Sequence, residues 1–311
     1  MIITPHLGIG DIIILRIKDA SNKLDITDIN INMQLLKTQS EDFENKLCFI
    51  KQFIRLLFPN VSIELTEGPC DFDRIAQYPF KNTYIYNKIS NQLLNVENKY
   101  SDYIVFHTKI RYDHLIGLFN REVLPSLIVF LETFKTSKTI LILGEKEIGQ
   151  NFETTLLQTT SLYNHLLLLR KNNTVIDLTK DVLTAGNPDF NDFLTDIEII
   201  NDAICNVTFG IGGPFNICMA FSQNHIAVVP FYKLSNYASM LEEINDLNHC
   251  IIENVEEIGT RIELACEVIW CQNRYCTEHF LPIERFIVEC DSVNVRHDDA
   301  EIGERSIDRR I

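Results

Sequence analysis

The chain has 311 residues, 46% of them hydrophobic and 23% charged, with a formal net charge of −15 at pH 7. So acidic a protein repels nucleic-acid backbones and anionic membranes, and no stretch approaches the roughly 20 uninterrupted apolar residues of a membrane span. The nine cysteines are an odd, scattered set that reads as reduced thiols, and MIITPHLGIGD lacks the basic region and apolar run of a secretory signal, so a soluble, cytoplasmic protein is expected.

The first elements form a small α/β unit. Ile2 and Ile3 begin a strand that ends at Thr4-Pro5, and His6-Leu7-Gly8-Ile9-Gly10-Asp11 is a turn before an apolar segment, Ile12 to Ile17. A strand followed at once by a glycine turn opens many nucleotide-binding folds, although Gly8-x-Gly10 lacks the third glycine of a dinucleotide fingerprint. Asp25 to Met33 alternates Ile with Asp or Asn, the period of a half-buried strand. Phe43, Leu47, Ile50, Phe53, Ile54 and Leu57 line one face of a helix that ends before Pro59, and Val61 to Leu65 is another strand. A strand at Tyr84 to Tyr86 and a helix at Lys88 to Leu94 are expected to follow, and the polar NVENKYSD, Asn95 to Asp102, reads as a domain junction.

A second α/β series starts beyond it. Strands are expected at Tyr103 to His107, Thr139 to Leu143 and Val175 to Leu178, with a helix at Asn120 to Phe134, helical content in Glu153 to Leu169, and a helix at Phe190 to Cys205. Val207 to Phe231 then reads as a strand, a turn containing Gly210, Gly212 and Gly213, a helix begun by Pro214 with Phe215 and Asn216 in its first turn, and another strand. Ala238 to Leu247 and Val255 to Cys271 read as helices, and Asp298 to Ile311 as a charged tail. Strands alternating with helices call for parallel pairing, a doubly wound sheet, and ligands at the carboxyl ends of its strands. The expected architecture is therefore α/β, with two Rossmann-like domains facing a central cleft: residues 1–100 on the acceptor side, 101–270 for a nucleotide ligand, and 271–311 as a C-terminal segment.

Several residues suit chemistry at such a cleft. The first turn of a helix presents N–H groups and a positive dipole end, which favour a phosphate or pyrophosphate, so Gly212, Gly213, Pro214, Phe215 and Asn216 frame a candidate anion seat. Lys109 and Arg111, just past a strand in HTKIR, would offset phosphate charge in an otherwise acidic protein, with His107 and Thr108 as neutral hydrogen-bonding groups. Asp11 suits a general base, or equally a cap on the helix that follows it; His6 shares its turn. Cys266, Cys271, Cys276 and His279 lack the paired spacing of a zinc ribbon, and Asp189, Asp192 and Asp196 read as the solvated start of a helix, so no metal is expected.

Two such units resemble a GT-B glycosyltransferase. More specifically, Val175 to Thr179, Asp202-Ala203, Val207 to Gly210, Gly213-Pro214 and the helix Asn216 to Phe221 resemble the donor half of the lipopolysaccharide heptosyltransferase family, and Gly8 to Asp11 is similar to that family's first-strand turn. Gly212 stands where the family carries a serine or threonine. The resemblance implies inverting, metal-independent transfer of a sugar from a nucleotide-diphosphate donor to a glycan or other hydroxyl acceptor, with Asp11 as the base. It also implies Gly10 beside the donor and Glu145 on the ribose hydroxyls, with Thr179 and Asp181 lining the base pocket; the donor is a substrate and no cofactor is implied. A nucleotide-sugar epimerase, or a protein that binds nucleotide-sugars without turnover, are the alternatives.

Overall fold

The computed structural model describes residues 1–39, 43–71, 73–81, 83, 99–112, 115–147, 158–181, 189–245 and 249–275. The strand and helix expected between Tyr84 and Leu94, the first half of the polar junction, Cys276, His279 and the charged tail lie outside these residues. Among the described residues no helix is long and apolar enough to cross a membrane.

The first sheet has three parallel strands in the order β1 (Ile2–Ile3), β2 (Asp28–Asn32), β3 (Ser62–Thr66). Its alternation is plain in β2, where Ile29 and Ile31 are buried between half-buried Asp28 and Asn30. The helix Ile9–Asn22 connects β1 to β2 and buries Ile12, Ile13, Leu15 and Ile17, then stops at Lys23 in the left-handed conformation (φ 54°). The helix Phe43–Leu57 precedes β3 and buries Phe49, Ile50, Phe53, Ile54 and Leu57, an apolar stripe at helical spacing.

The second sheet has seven strands. Six run in the order β10 (His249–Ile252), β9 (His225–Val228), β8 (Cys205–Gly210), β4 (Tyr103–Tyr112), β5 (Thr139–Leu143), β7 (Val175–Asp177), every neighbouring pair parallel. Counted from β4, this is the 3-2-1-4-5-6 order of a Rossmann-like fold, whose topological switch point lies between β4 and β8. The protein is thus α/β with mostly parallel sheets, as the alternating pattern leads one to expect.

Two departures matter. Residues Gln158–Ser161 form β6, antiparallel to the end of β4, within the span where helical content was expected; among the described residues the helical part is Tyr163–Leu166 and a 3-10 turn over Leu167–Lys171, and residues 153–157 lie outside them. The segment QTTS is rich in β-favouring threonine, and its partner is an unusually long β4 with backbone to spare. His249–Ile252 is a further edge strand that four residues of mixed polarity do not announce. Both sheets fall in one compact unit, Met1–Glu263, and Leu264–Ile311 forms the other. The physical reason is packing. The rings of Phe49 and Phe53 from the first half stand edge-to-face on Phe193 at 5.4 and 5.3 Å, and Phe49 meets Phe190 at 5.6 Å, from the helix Phe190–Asp202. Edge-to-face aromatic pairs add about 0.5–1.5 kcal/mol each beyond the burial of the rings. The two halves are also joined where Glu243 Oε1 accepts the Phe80 N–H at 2.6 Å.

Candidate functional site

Two glycine turns distant in sequence meet in this unit. The helix Gly213–Phe221 packs on the helix Ile9–Asn22, and a β-carbon on Gly10 would fall 2.3 Å from Asn216 Nδ2. Only a residue without a side chain lets the two helix starts approach so closely. The meeting point is at the carboxyl end of β1 and at the switch point of the larger sheet, where doubly wound folds bind ligands.

The β8 side of the site is built by backbone geometry. Gly210 (φ 69°) and Gly212 (φ 137°) take conformations that residues with a β-carbon rarely adopt. Gly210 also lies against the Arg111 carbonyl, 2.4 Å from where its β-carbon would be, and that carbonyl accepts the Ile211 N–H at 2.8 Å. Gly212 caps the helix Gly213–Phe221 and accepts the Asn216 N–H at 2.9 Å. The N–H groups of Gly213 and Phe215 have no acceptor within a helix that begins there, and Pro214 has none to offer. A side chain on Gly213 would meet nothing within 4 Å, so the helix start is open to an approaching group. The Phe215 ring is not part of that opening: it is 1% exposed and stands on the His225 ring at 5.3 Å, so only its backbone remains available.

On β4 the register against β8 slips between Phe106 and Ile110, a bulge of the kind that re-aims side chains. Lys109 and Arg111, on either side of Ile110, are half-buried while Ile110 and Tyr112 are buried, so the two cations share one side of the strand. The Arg111 stem lies across Gly212, its Cδ 2.9 Å from where a β-carbon would be. His107 and Thr108, inside the bulge, do not reach the site as neutral donors. His107 is 4% exposed, with Nε2 3.3 Å from both Asn206 Oδ1 and Cys218 Sγ, and burial pulls its pKa down to about 4. Thr108 is fully buried and its hydroxyl has no hydrogen-bond partner among the described residues.

On the β1 side, Gly8 is the N-cap of the first helix and Asp11 falls in its first turn. The Asp11 carboxylate accepts the Gly8 N–H, the reach-back half of a capping box. Burial raises its pKa above the ordinary carboxylate value, against the opposing charges of His6 and Arg111 and the Gly8 hydrogen bond. Asp11 is thus a capping residue and also a carboxylate of enhanced proton affinity at the site. His6 is exposed in the same turn.

Cys70, Asp71 and Arg74, in a stretch that is hard to read in sequence, also reach this point. Asp71 clamps Thr4 from both sides, Thr4 N–H to Asp71 Oδ1 at 2.6 Å and Asp71 N–H to the Thr4 carbonyl at 2.9 Å, and Arg74 holds Asp71 at 3.0 Å. Cys70 donates to the Pro5 carbonyl at 3.6 Å; burial, then the Asp71 and Asp11 charges, raise its thiol pKa. No spacing or composition signal marks these residues, because the fold alone brings their loop beside the first turn.

Glu145 follows β5, the strand next to β4, and its half-buried position is fixed through the backbone: its carbonyl accepts Ser161 Oγ at 3.0 Å and it bridges to Lys180. Thr179 turns back on Asp177, and Asp181 pairs with Lys146 at 2.9 Å. Of Asp189, Asp192 and Asp196, the first caps its helix and the other two flank Lys180 at 3.9 and 3.2 Å. The fold thus gathers Asp11, His6, Gly10, Arg111 and Gly212–Asn216 at one point, with Lys109 on the same strand side as Arg111 and Glu145 on the neighbouring strand. No protein-family model, no curated protein and no solved structure matches the chain.

Proposed function

We propose that the protein is a glycosyltransferase of GT-B type that moves a sugar from a nucleotide-diphosphate donor to a hydroxyl acceptor. The observation that carries this reading is the approach of the turn before Asp11 to the first turn of the Gly213–Phe221 helix, with Gly10 against Asn216 and Arg111 lying across Gly212. A transfer of this kind needs a carboxylate for the acceptor proton and positive charge for the leaving diphosphate. Asp11, raised by burial, has the proton affinity for the first task. The N–H groups of Gly213 and Phe215, the helix dipole and the Lys109 and Arg111 cations suit the second. Glu145, at the end of the second strand counted from β4, stands where a Rossmann-like fold receives ribose hydroxyls.

The chemistry balances without further groups. The acceptor hydroxyl gives its proton to Asp11 as its oxygen bonds to the anomeric carbon. The bond from that carbon to the phosphate oxygen breaks, leaving its electron pair on the diphosphate. Attack from the Asp11 side, opposite the leaving group, inverts the anomeric centre.

The test is a panel of nucleotide-sugars, read first by thermal shift and then by release of nucleoside diphosphate in the presence of hydroxyl acceptors. Asp11→Asn is expected to lower kcat by about 100-fold or more without loss of donor binding. Full transfer by Asp11→Asn refutes the base, and the absence of a shift with every nucleotide-sugar refutes the donor seat. The bond from Gly8 to Asp11 favours one second reading, a nucleotide-sugar-binding protein without turnover, in which Asp11 only caps its helix; a thermal shift with neither hydrolysis nor transfer selects it.

A further inference from the structure

We propose that the outer face of the helix Leu124–Thr133 is a self-association surface, on which a second copy of this chain lays its own Leu124–Thr133 helix antiparallel, about a two-fold axis. The proposal is independent of the transfer chemistry above, because this helix is no part of the candidate site.

The sequence of the helix does not suit solvent on its outer side. LPSLIVFLET holds a single charge, Glu132, and the inner side accounts for only part of its apolar content. Leu127 and Leu131 are buried there, and the Phe130 ring lies 5.0 Å from that of Phe134. Leu124, Pro125, Ile128 and Val129 form a second stripe, two adjacent rows on the helix surface four residues apart. Pro125 is exposed, Leu124 and Ile128 are half-buried, and Val129 is 60% exposed, matched among the described large apolar side chains only by Leu234. Valine is also a poor residue for a solvated helix position, because its branched β-carbon loses rotamer freedom that Lys, Glu or Gln would keep. A covered position removes that conflict.

Charge selects the occupant. The stripe is bounded by Arg121, one turn before Pro125, and by Glu132, three residues after Val129. Arg121 is exposed and meets only its chain neighbour Glu122, at 3.0 Å; Glu132 is half-buried, and its carboxylate has no ion-pair partner among the described residues. A cation before the helix start and an anion near its end oppose the helix dipole, which favours the reverse order. An antiparallel partner supplies that reverse order. Arg121 then faces the partner's Glu132, Leu124 the partner's Val129, and Pro125 the partner's Ile128. Each pairing occurs twice, as a self-complementary two-fold interface requires. A parallel partner would instead set Arg121 on Arg121 and Glu132 on Glu132. One pair of short helices buries less than the roughly 800 Å² per partner of a standard interface, so the dimer is weak, with a Kd on the order of 100 μM.

The experiment is sedimentation velocity on the full chain over a concentration series from about 5 to about 500 μM, at low salt, where exposed ion pairs are least screened. The mass of the wild type is expected to rise from 36.0 kDa towards twice that value. Val129→Lys, at an exposed helix position, is expected to stay monomeric throughout, with circular dichroism to check that it folds. Arg121→Glu and Glu132→Arg are each expected to weaken dimerisation at least about fivefold, because each sets like charges together twice. The double variant Arg121→Glu/Glu132→Arg is expected to return to within about twofold of wild type, as only a restored pair allows. A wild type that is monomeric at every concentration overturns the proposal. A dimer that survives Val129→Lys unchanged lies on another surface and overturns it too. A double variant that associates no better than the single variants overturns the antiparallel pairing.

Discussion

Replacing Gly10 with alanine tests the approach of the two helix starts directly. Gly10 is helical, so its backbone accepts alanine, and what opposes the change is Asn216: the new β-carbon would lie 2.3 Å from Nδ2, 3.2 Å from Cγ and 3.5 Å from Cβ. Ordinary contact begins at 3.4 Å, so the amide must retreat by about an ångström. Overpacking of this kind costs about 1–3 kcal/mol, and alanine returns about 0.5–1 kcal/mol over glycine inside a helix. Gly10→Ala is therefore expected to destabilise the protein by about 1–2 kcal/mol in urea unfolding followed by circular dichroism. Asn216→Ala removes the obstructing amide, so Gly10→Ala combined with Asn216→Ala is expected to show a coupling of about 1–2 kcal/mol in a double-mutant cycle. Gly10→Ala should also weaken pyrophosphate binding, because Asn216 is displaced from the helix start. Unchanged stability in Gly10→Ala, or a cycle closing within about 0.3 kcal/mol, would refute the reasoning.

Three more outcomes are expected. His107 has a folded pKa of about 4 against 6.5 ordinarily, so below pH 6.5 the unfolded chain takes up a proton that the folded protein refuses. Stability then falls with pH by about 2 kcal/mol between pH 7 and pH 5, and His107→Gln flattens that slope; equal slopes would show that His107 does not carry it. Asp11 has a raised folded pKa, so its ionised form costs stability above that pKa and the cost fades as pH falls through it. Asp11→Asn is accordingly expected to melt at a higher temperature than wild type at pH 7 even as it loses transfer activity, and a lower Tm contradicts this. The Thr108 hydroxyl is buried against Gly144 without a partner among the described residues, so Thr108→Val removes only an unsatisfied group. Stability equal to or above wild type in urea is expected, and a loss of more than about 2 kcal/mol would mean that the hydroxyl has a partner.

Much of the fold is legible in the sequence because the signals are local. The alternation of DININ, the apolar stripe Phe49, Ile50, Phe53, Ile54, Leu57 and the Gly-Gly-Pro start of the helix Gly213–Phe221 each determine an element from a handful of neighbours. The candidate site is legible in part for the same reason. Glycines at positive φ, a helix N-terminus and a carboxylate after a glycine turn are all short-range features. Where local signals run out, readings drift: QTTS forms a strand because β4 is long enough to pair with it, and His249–Ile252 is drawn onto the edge of a sheet already built. Long-range hydrogen bonding decides such segments, and no window of sequence contains it.

By itself the sequence determined an α/β protein with mostly parallel strands and a glycine turn before a helix. Tertiary structure alone decided what that turn meets. Phe49 and Phe53 pack on Phe193, and rings buried across the two sheets tie them into one unit. His107 and Phe215 lie close to the site in sequence yet belong to the core, since alternation along a strand and rotation about a helix turn neighbours in opposite directions. Asp11, Arg111 and Asn216 are remote in sequence yet come together, because Gly10 has no side chain to keep the two helix starts apart.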